Sequence, residues 1–185
     1  MVRAVVLALL VLCSCTEQTF IAPPASDRQQ TVTTGAITFS YPAAWSRTQW
    51  DQPGSFTFMV AAVSNQPLKK PCTELANGCS CGQPVDSLQS GSVLIEWWTN
   101  GFPNWTLADQ PGKETTVGGL PAKIQDPGDV TAVCGGIGAD SALRVEIARS
   151  AQANYFEFDA CFRGPGSDAE RSFALAMLDG ARFSS

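Results

Sequence analysis

The sequence predicts an α+β domain: a twisted antiparallel sheet of about six strands, flanked by helices that include one at the C-terminus. Three features carry the expectation. Several stretches alternate apolar with polar residues, a glycine pair separates two of them, and one segment near the end repeats its apolar residues at helical spacing.

The strand signals begin at Gly35, where Ala36-Ile37-Thr38-Phe39-Ser40-Tyr41 alternates and stops at Pro42, a residue that cannot donate to a ladder. Ser55 to Val63 and Ser92 to Trp98 are the second and third runs. Thr115-Thr116-Val117, Gly118-Gly119 and Leu120 to Gln125 form a hairpin signature, because two glycines supply the positive φ values of a tight turn. Leu143, Val145 and Ile147 share one face of the run from Ser141 to Ala148. Phe156, Phe158, Ala160 and Phe162 share one face from Asn154 to Phe162. Such strands need a covering layer, and the C-terminus offers one. Ser167-Asp168-Ala169-Glu170 has the form of a capping box, Phe173, Ala174, Met177 and Leu178 fall on one helical face, and Gly180 stands where a left-handed C-cap belongs. Ala181-Arg182-Phe183 adds a short strand, and Gln66 to Gly91, rich in Pro, Gly and Cys, reads as one long irregular connection.

Ahead of the domain lies an export signal. Arg3 precedes an apolar run from Ala4 to Leu12, which is far shorter than the roughly 20 residues of a membrane-spanning helix. Leu12-Cys13-Ser14-Cys15 has the form of a lipobox, in which Cys15 receives the diacylglyceryl group; Cys13, directly behind bulky Leu12, fits less well. The expected organisation is a signal peptide over 1–14, a lipid-anchor cysteine and polar tether over 15–34, and one domain over 35–185. The protein would then be exported and held on the outer face of the cytoplasmic membrane by its lipid. The chain has 12 basic and 17 acidic residues, net charge −5, and loss of Arg3 with the signal takes this to −6. That balance argues against nucleic acid and against electrostatic docking on anionic lipid.

Beyond Cys15 the cysteines are Cys72, Cys79, Cys81, Cys134 and Cys161. In an exported chain these point to disulfides: Cys134 with Cys161, and Cys72 with either Cys79 or Cys81, which leaves one thiol over. The spacing does not suit zinc, and no metal or cofactor is expected. The chain has no histidine, which removes every Ser-His-Asp or Cys-His arrangement and every histidine base. Carboxylate chemistry survives that cut. Glu157 and Asp159 alternate on one strand and Glu146 lies on the preceding one, so a glycosidase-like approach of carboxyls is open beside the plainer reading, a solvated sheet face with Arg144 as counter-charge.

Trp97, Trp98 and Trp105 fall within nine positions, with Phe102 between them. Adjacent Trp97 and Trp98 on a strand face opposite ways, so at least one leaves the main core. Exposed aromatics beside Asn100, Thr99 and Asn104 suit sugar rings or a protein interface, whereas the competing reading packs Phe102 and Trp105 as a loop onto the sheet. Gly135-Gly136-Ile137-Gly138 lacks the Lys-Ser/Thr of a phosphate loop and reads as a turn beside Cys134.

Ile37 to Trp45 (ITFSYPAAW), Gly119-Leu120-Pro121-Ala122, and the stretch from Tyr155 to Phe158 followed by the capped helix and Ala181-Arg182-Phe183 resemble the PsbP/Mog-like family. Gly101-Phe102-Pro103, Ala160 to Pro165 and the lipobox resemble a set of actinobacterial secreted lipoproteins of unknown activity. The resemblance implies an α/β/α sandwich and little more, because fold does not fix function. The photosynthetic members act as extrinsic subunits of a membrane complex and the Mog branch binds a small GTPase, but no residue here matches either group's functional positions. Two function classes therefore stand: a non-enzymatic binding or assembly lipoprotein whose partner is an envelope protein or cell-wall glycan, which is favoured, and a secreted carboxylate-dependent hydrolase.

Overall fold

A computed structural model describes residues 28–50, 57–75, 78–149 and 154–184. The strands β1 (Gln29–Thr33), β2 (Ile37–Pro42), β3 (Ser46–Thr48), β4 (Thr57–Ser64), β5 (Cys72–Leu75), β6 (Gly78–Cys81), β7 (Ser92–Gly101), β8 (Lys113–Val117) and β9 (Leu120–Gln125) precede the short helix α1 (Val130–Cys134). Then come β10 (Ser141–Ala148), β11 (Asn154–Arg163), the helix α2 (Ser167–Gly180) and β12 (Arg182–Phe183). An antiparallel sheet of seven strands in the order β3-β4-β7-β11-β10-β9-β8 is the frame; β1-β2-β12 and β5-β6 form two smaller sheets.

The expected α/β/α sandwich is not what the chain forms. Strand accounts for 48% and helix for 13%, with two helices in all among the described residues. Only 167–180 sustains a helical period long enough to build a layer, so one face is covered by this helix with a small sheet and the other by a loop-rich connection with one short helix. On the first face, Val93, Ile95 and Trp97 of β7, Phe156, Phe158 and Phe162 of β11, and Leu143, Val145 and Ile147 of β10 bury against α2 (Ala174, Met177, Leu178) and the small sheet (Val32, Ile37, Phe39, Tyr41). On the second face, Met59, Ala62, Leu94, Ala142 and Cys161 pack under Val85, Leu88, Val133 and Ile137 from the connection and α1.

The stretch expected as irregular, Gln66 to Gly91, contains its own hairpin, closed by the disulfide Cys72–Cys81 across directly paired residues. Cysteine, glycine and serine carry no apolar alternation, so the strand pattern was silent there. The side chain of Cys79 lies outside what is described. Gln66 holds the rest of the connection, donating from Nε2 to Ser87 O (3.1 Å) and accepting from Gln89 N (2.9 Å). β1 likewise takes up residues expected in the tether, because Gln29–Thr33 pairs along β2 and brings Val32 into the core. Residues 1–27, with the signal and Cys15, lie outside the described residues, and among those described no helix is long and apolar enough to cross a membrane.

The 118–119 hairpin forms as the glycines require, at φ 55° and 87°. The helix caps do not follow the sequence pattern. α2 already includes Ser167, its N-cap is Gly166 at φ 93° with no side-chain cap bond, and Asp168 and Glu170 in the first turn are left to face the helix dipole. At the other end Ala181 leaves in an extended conformation, since the chain must pair at once through Arg182 and Phe183 with β2; a left-handed residue would turn it away.

The second disulfide, Cys134–Cys161, ties α1 to β11 (Cα–Cα 5.8 Å). Gly135, Gly136 and Gly138, all at positive φ, turn the chain immediately after it. A helix of five residues has little stability of its own, so the cross-link and the Asp129 cap, which accepts from Thr131 N and Ala132 N, hold it in place. Replacing both cysteines by alanine is expected to lower unfolding free energy by about 2–4 kcal/mol in urea titration. A loss under ~0.5 kcal/mol would mean that packing alone seats α1.

Candidate functional site

Side chains on β7 alternate between faces, and the register from β4 to β9 aligns them in rows, with one irregularity in β4 between Met59 and Ala61. On the second face one row reads Ala62, Glu96, Asp159, Arg144 and Gln125. The next reads Met59, Trp98, Glu157, Glu146 and Lys123, and a third carries Asn100 beside Tyr155. Four carboxyl groups on three neighbouring strands thus surround one guanidinium.

Arg144 organises them. Its Nε donates to Asp159 Oδ1 and its Nη2 to Asp159 Oδ2, both at 2.8 Å, and Nη2 also lies 2.8 Å from Glu157 Oε1. Asn100 Nδ2 donates to Glu157 Oε2 (3.1 Å), and Trp105 Nε1 donates to Glu146 Oε1 (3.4 Å). Lys123 is committed elsewhere, donating to Ala108 O and Gln110 O at 2.7 Å and so tying down the loop that carries Trp105. Glu96 is 1% exposed, and its Oε1 has no hydrogen-bond partner among the described residues.

Burial decides the ionisation here. Glu96 is pushed up to about 8, first by loss of water and then by Asp159; a hydrogen bond from Trp98 and the charge of Arg144 pull the other way less strongly. Glu157 is also pushed up to about 8 by burial and by the neighbouring Asp159. Glu146 is raised for the same first reason, and the Tyr155 hydroxyl is pushed up to about 12 by burial, then by Glu157 and Glu146. Among these carboxyls Arg144 is held protonated above its ordinary value: hydrogen bonding and attraction to Asp159 outweigh its own burial.

Glu96, Arg144, Glu157 and Asp159 line a cleft of about 330 Å³ whose walls include Trp98, Phe102 and Tyr155, with Gln83 and Val133 from the covering segments. A second hollow of about 390 Å³ adjoins it, shares Gln83, Glu96 and Trp98, and is walled by Trp50 and Met59. Trp50 meets Trp98 edge to face at 6.4 Å.

A scan of protein-family models matches nothing in this chain, and no curated protein matches it. The site is therefore read from its own residues.

Of the four aromatics expected to form a binding surface, three belong to this region and one does not. Trp97 is fully buried on the first face between Phe39 and Phe158, because the strand that exposes Trp98 must turn its neighbour inward. Trp98 and Phe102 line the cleft, and Phe102 is 48% exposed at its rim. Trp105 is half-buried, stacked on Tyr155 at 4.1 Å with the planes 9° apart, so it supports the wall from behind. Glu157 and Asp159 do share a face with Arg144 as counter-charge, but the face is not solvated: Asp159 is 3% and Glu146 6% exposed under the covering segments. Glu96 and Gln83 were not singled out from the sequence, and Asn100 stood there only as a polar neighbour of the aromatics. A signal existed for Glu96, the one charged residue in the apolar strand from Val93 to Trp98.

The carboxyls are gathered around a guanidinium, and among the described residues no group of three or more metal-ligating side chains has the arrangement to hold an ion. What the cleft can do is offer hydrogen-bond acceptors at its floor and aromatic faces at its sides.

Proposed function

We propose that this chain is a lipid-anchored envelope protein whose domain is a non-enzymatic binding module, holding a small polar ligand in the cleft of its seven-stranded sheet. One observation carries this reading: Glu96 Oε1, buried and unpartnered among the described residues, forms part of the lining of an aromatic-walled hollow. An unsatisfied buried acceptor costs stability, and a ligand that donates to it would remove that cost. The anchor at Cys15 rests on the lipobox, and it would put the cleft at the cell surface, where envelope glycans and small solutes are met.

Binding is favoured over turnover because Asp159 and Glu157 are both held by Arg144, and Glu157 also by Asn100, so neither carboxyl is free to turn toward a substrate. The hydrolase reading keeps one support. Glu96 and Glu157 both titrate near 8 in the same cleft, the condition for a carboxylic acid that donates a proton at neutral pH.

The test uses the full chain expressed in a bacterial envelope. The lipidated form should fractionate with membrane and Cys15→Ser should release it. Soluble Cys15→Ser protein, incubated with a peptidoglycan digest and passed through a desalting column, should retain a ligand of unchanged mass, and Trp98→Ala should not. Products released by the protein and lost in Glu96→Gln would replace binding with catalysis; unchanged fractionation of Cys15→Ser would defeat the anchor.

A further inference from the structure

Three polar atoms buried without partners among the described residues belong to residues that line the two adjoining hollows. Glu96 Oε1 and Gln83 Oε1 are acceptors on residues that line both, and Trp50 Nε1 is a donor on a residue that lines the second. Around them are four carboxyls and one guanidinium, with Lys123 committed to backbone carbonyls. The hollow is thus rich in carboxyl and amide oxygens, and its walls include the aromatic side chains of Trp98, Phe102, Tyr155 and Trp50.

Building on the binding-module reading, we propose that the cleft takes a small organic cation, a primary ammonium compound that also carries a hydroxyl or carbonyl oxygen. The ammonium N–H groups would be accepted by Glu96 Oε1 and Gln83 Oε1, and the oxygen would accept from Trp50 Nε1. The aromatic walls add the attraction of ring faces for a cation, which is strongest at tryptophan and strengthens as water is excluded. An anion is disfavoured, because Arg144 is engaged with Asp159 and Glu157 and an anion beside Glu96 would find no cation to pair with. A neutral polyol could hydrogen-bond the same oxygens but would form no ion pair with Glu96.

Ionisation follows from the same geometry. Glu96 faces Asp159 and Arg144 in its own row and Glu157 and Glu146 in the next; of the covering groups, Gln83 does not titrate and Cys81 is in a disulfide. A carboxyl near 8 is largely protonated at pH 7, so a cation beside it favours the ionised form and the proton passes to solvent. Binding should therefore release a proton, and the measured heat should vary with the buffer's own heat of protonation.

The experiment is titration of the Cys15→Ser full chain at pH 7 with 4-aminobutan-1-ol, 1,4-butanediol and 4-hydroxybutyrate, which share a chain length and differ in charge. Readouts are tryptophan fluorescence and calorimetry in two buffers. The expected result is saturable binding of 4-aminobutan-1-ol with proton release, at least tenfold weaker in Glu96→Gln and weaker in the rim variant Phe102→Ala, both checked for folding by circular dichroism. Equal binding of the diol, or binding unchanged by Glu96→Gln in folded protein, overturns the proposal. Tetra-N-acetylchitotetraose completes the set. Saturable binding of that neutral glycan, lost in Trp98→Ala, with no response to the amine would overturn the cationic ligand and leave the binding module standing. No saturable response to any of the four would count against both.

Discussion

Arg144→Met is expected to destabilise the domain by about 3–5 kcal/mol at pH 8, the range for removing one partner of a buried ion pair. The guanidinium is seated among Glu96, Glu146, Glu157 and Asp159, and the side chain of Asp159 is 4% exposed. Without Arg144, Asp159 loses a bidentate bond and Glu157 an ion pair, while Glu146 and Glu157 remain directly opposed on adjacent strands, where like charges repel. Each carboxyl can escape by taking up a proton, so the penalty should be smaller at pH 5 than at pH 8. Urea unfolding at both values checks this. Adding Glu157→Gln and Asp159→Asn to Arg144→Met should recover most of the loss, since a neutral set needs no counter-charge. A cost under ~1 kcal/mol at pH 8 would show that the guanidinium is not what keeps this face folded.

Much of the frame was legible. The alternation from Ser141 to Phe162 pairs as the sequence pattern requires, setting Arg144 against Asp159 and Glu146 against Glu157, and the turn at Gly118-Gly119 sits where two positive φ values are needed. The pairing of Cys134 with Cys161 was legible from cysteine number and the strand layout, and Cys72 joins Cys81 out of the two partners the spacing allowed. The covering of the second face was not legible. It is made of α1, which is too short for a periodic signal, and of Val85, Leu88 and Ile137, isolated apolar residues in stretches with no strand or helix period. The candidate site stayed hidden for the same reason. Period-two reasoning places Glu157 and Asp159 on one face, but whether that face is wet depends on what lies over it, and that is decided by the contacts of Val85, Leu88, Val133 and Ile137 far along the chain. Trp97 and Trp98 illustrate both sides: their opposition is local geometry and could be read, while which of them enters the core could not.

That covering has a thermodynamic signature of its own. Domain stability is expected to fall as pH rises from about 5 to about 8, opposite to the usual behaviour of carboxylates that are ion-paired in the native state. The sign follows from proton uptake. Glu96 has its folded value near 8 against an ordinary 4.5, so between these limits the native state binds the proton that the unfolded chain has released, and stability decreases with pH across that window. At about 1.4 kcal/mol per unit, Glu96 alone accounts for a loss of about 4 kcal/mol, and Glu157 acts in the same direction. Below 4.5 both states are protonated and the contribution is fully present; above 8 it is gone. In Glu96→Gln, an isosteric and neutral side chain that can still accept from Trp98, the curve should flatten over this range, leaving the smaller slope from Glu157. Urea midpoints measured at unit steps from pH 4.5 to 9 would decide it. A wild-type curve that rises over this window would mean that Glu96 stays ionised against Arg144, and the floor of the cleft would then carry a fixed negative charge instead of a carboxyl that waits for a ligand to ionise it.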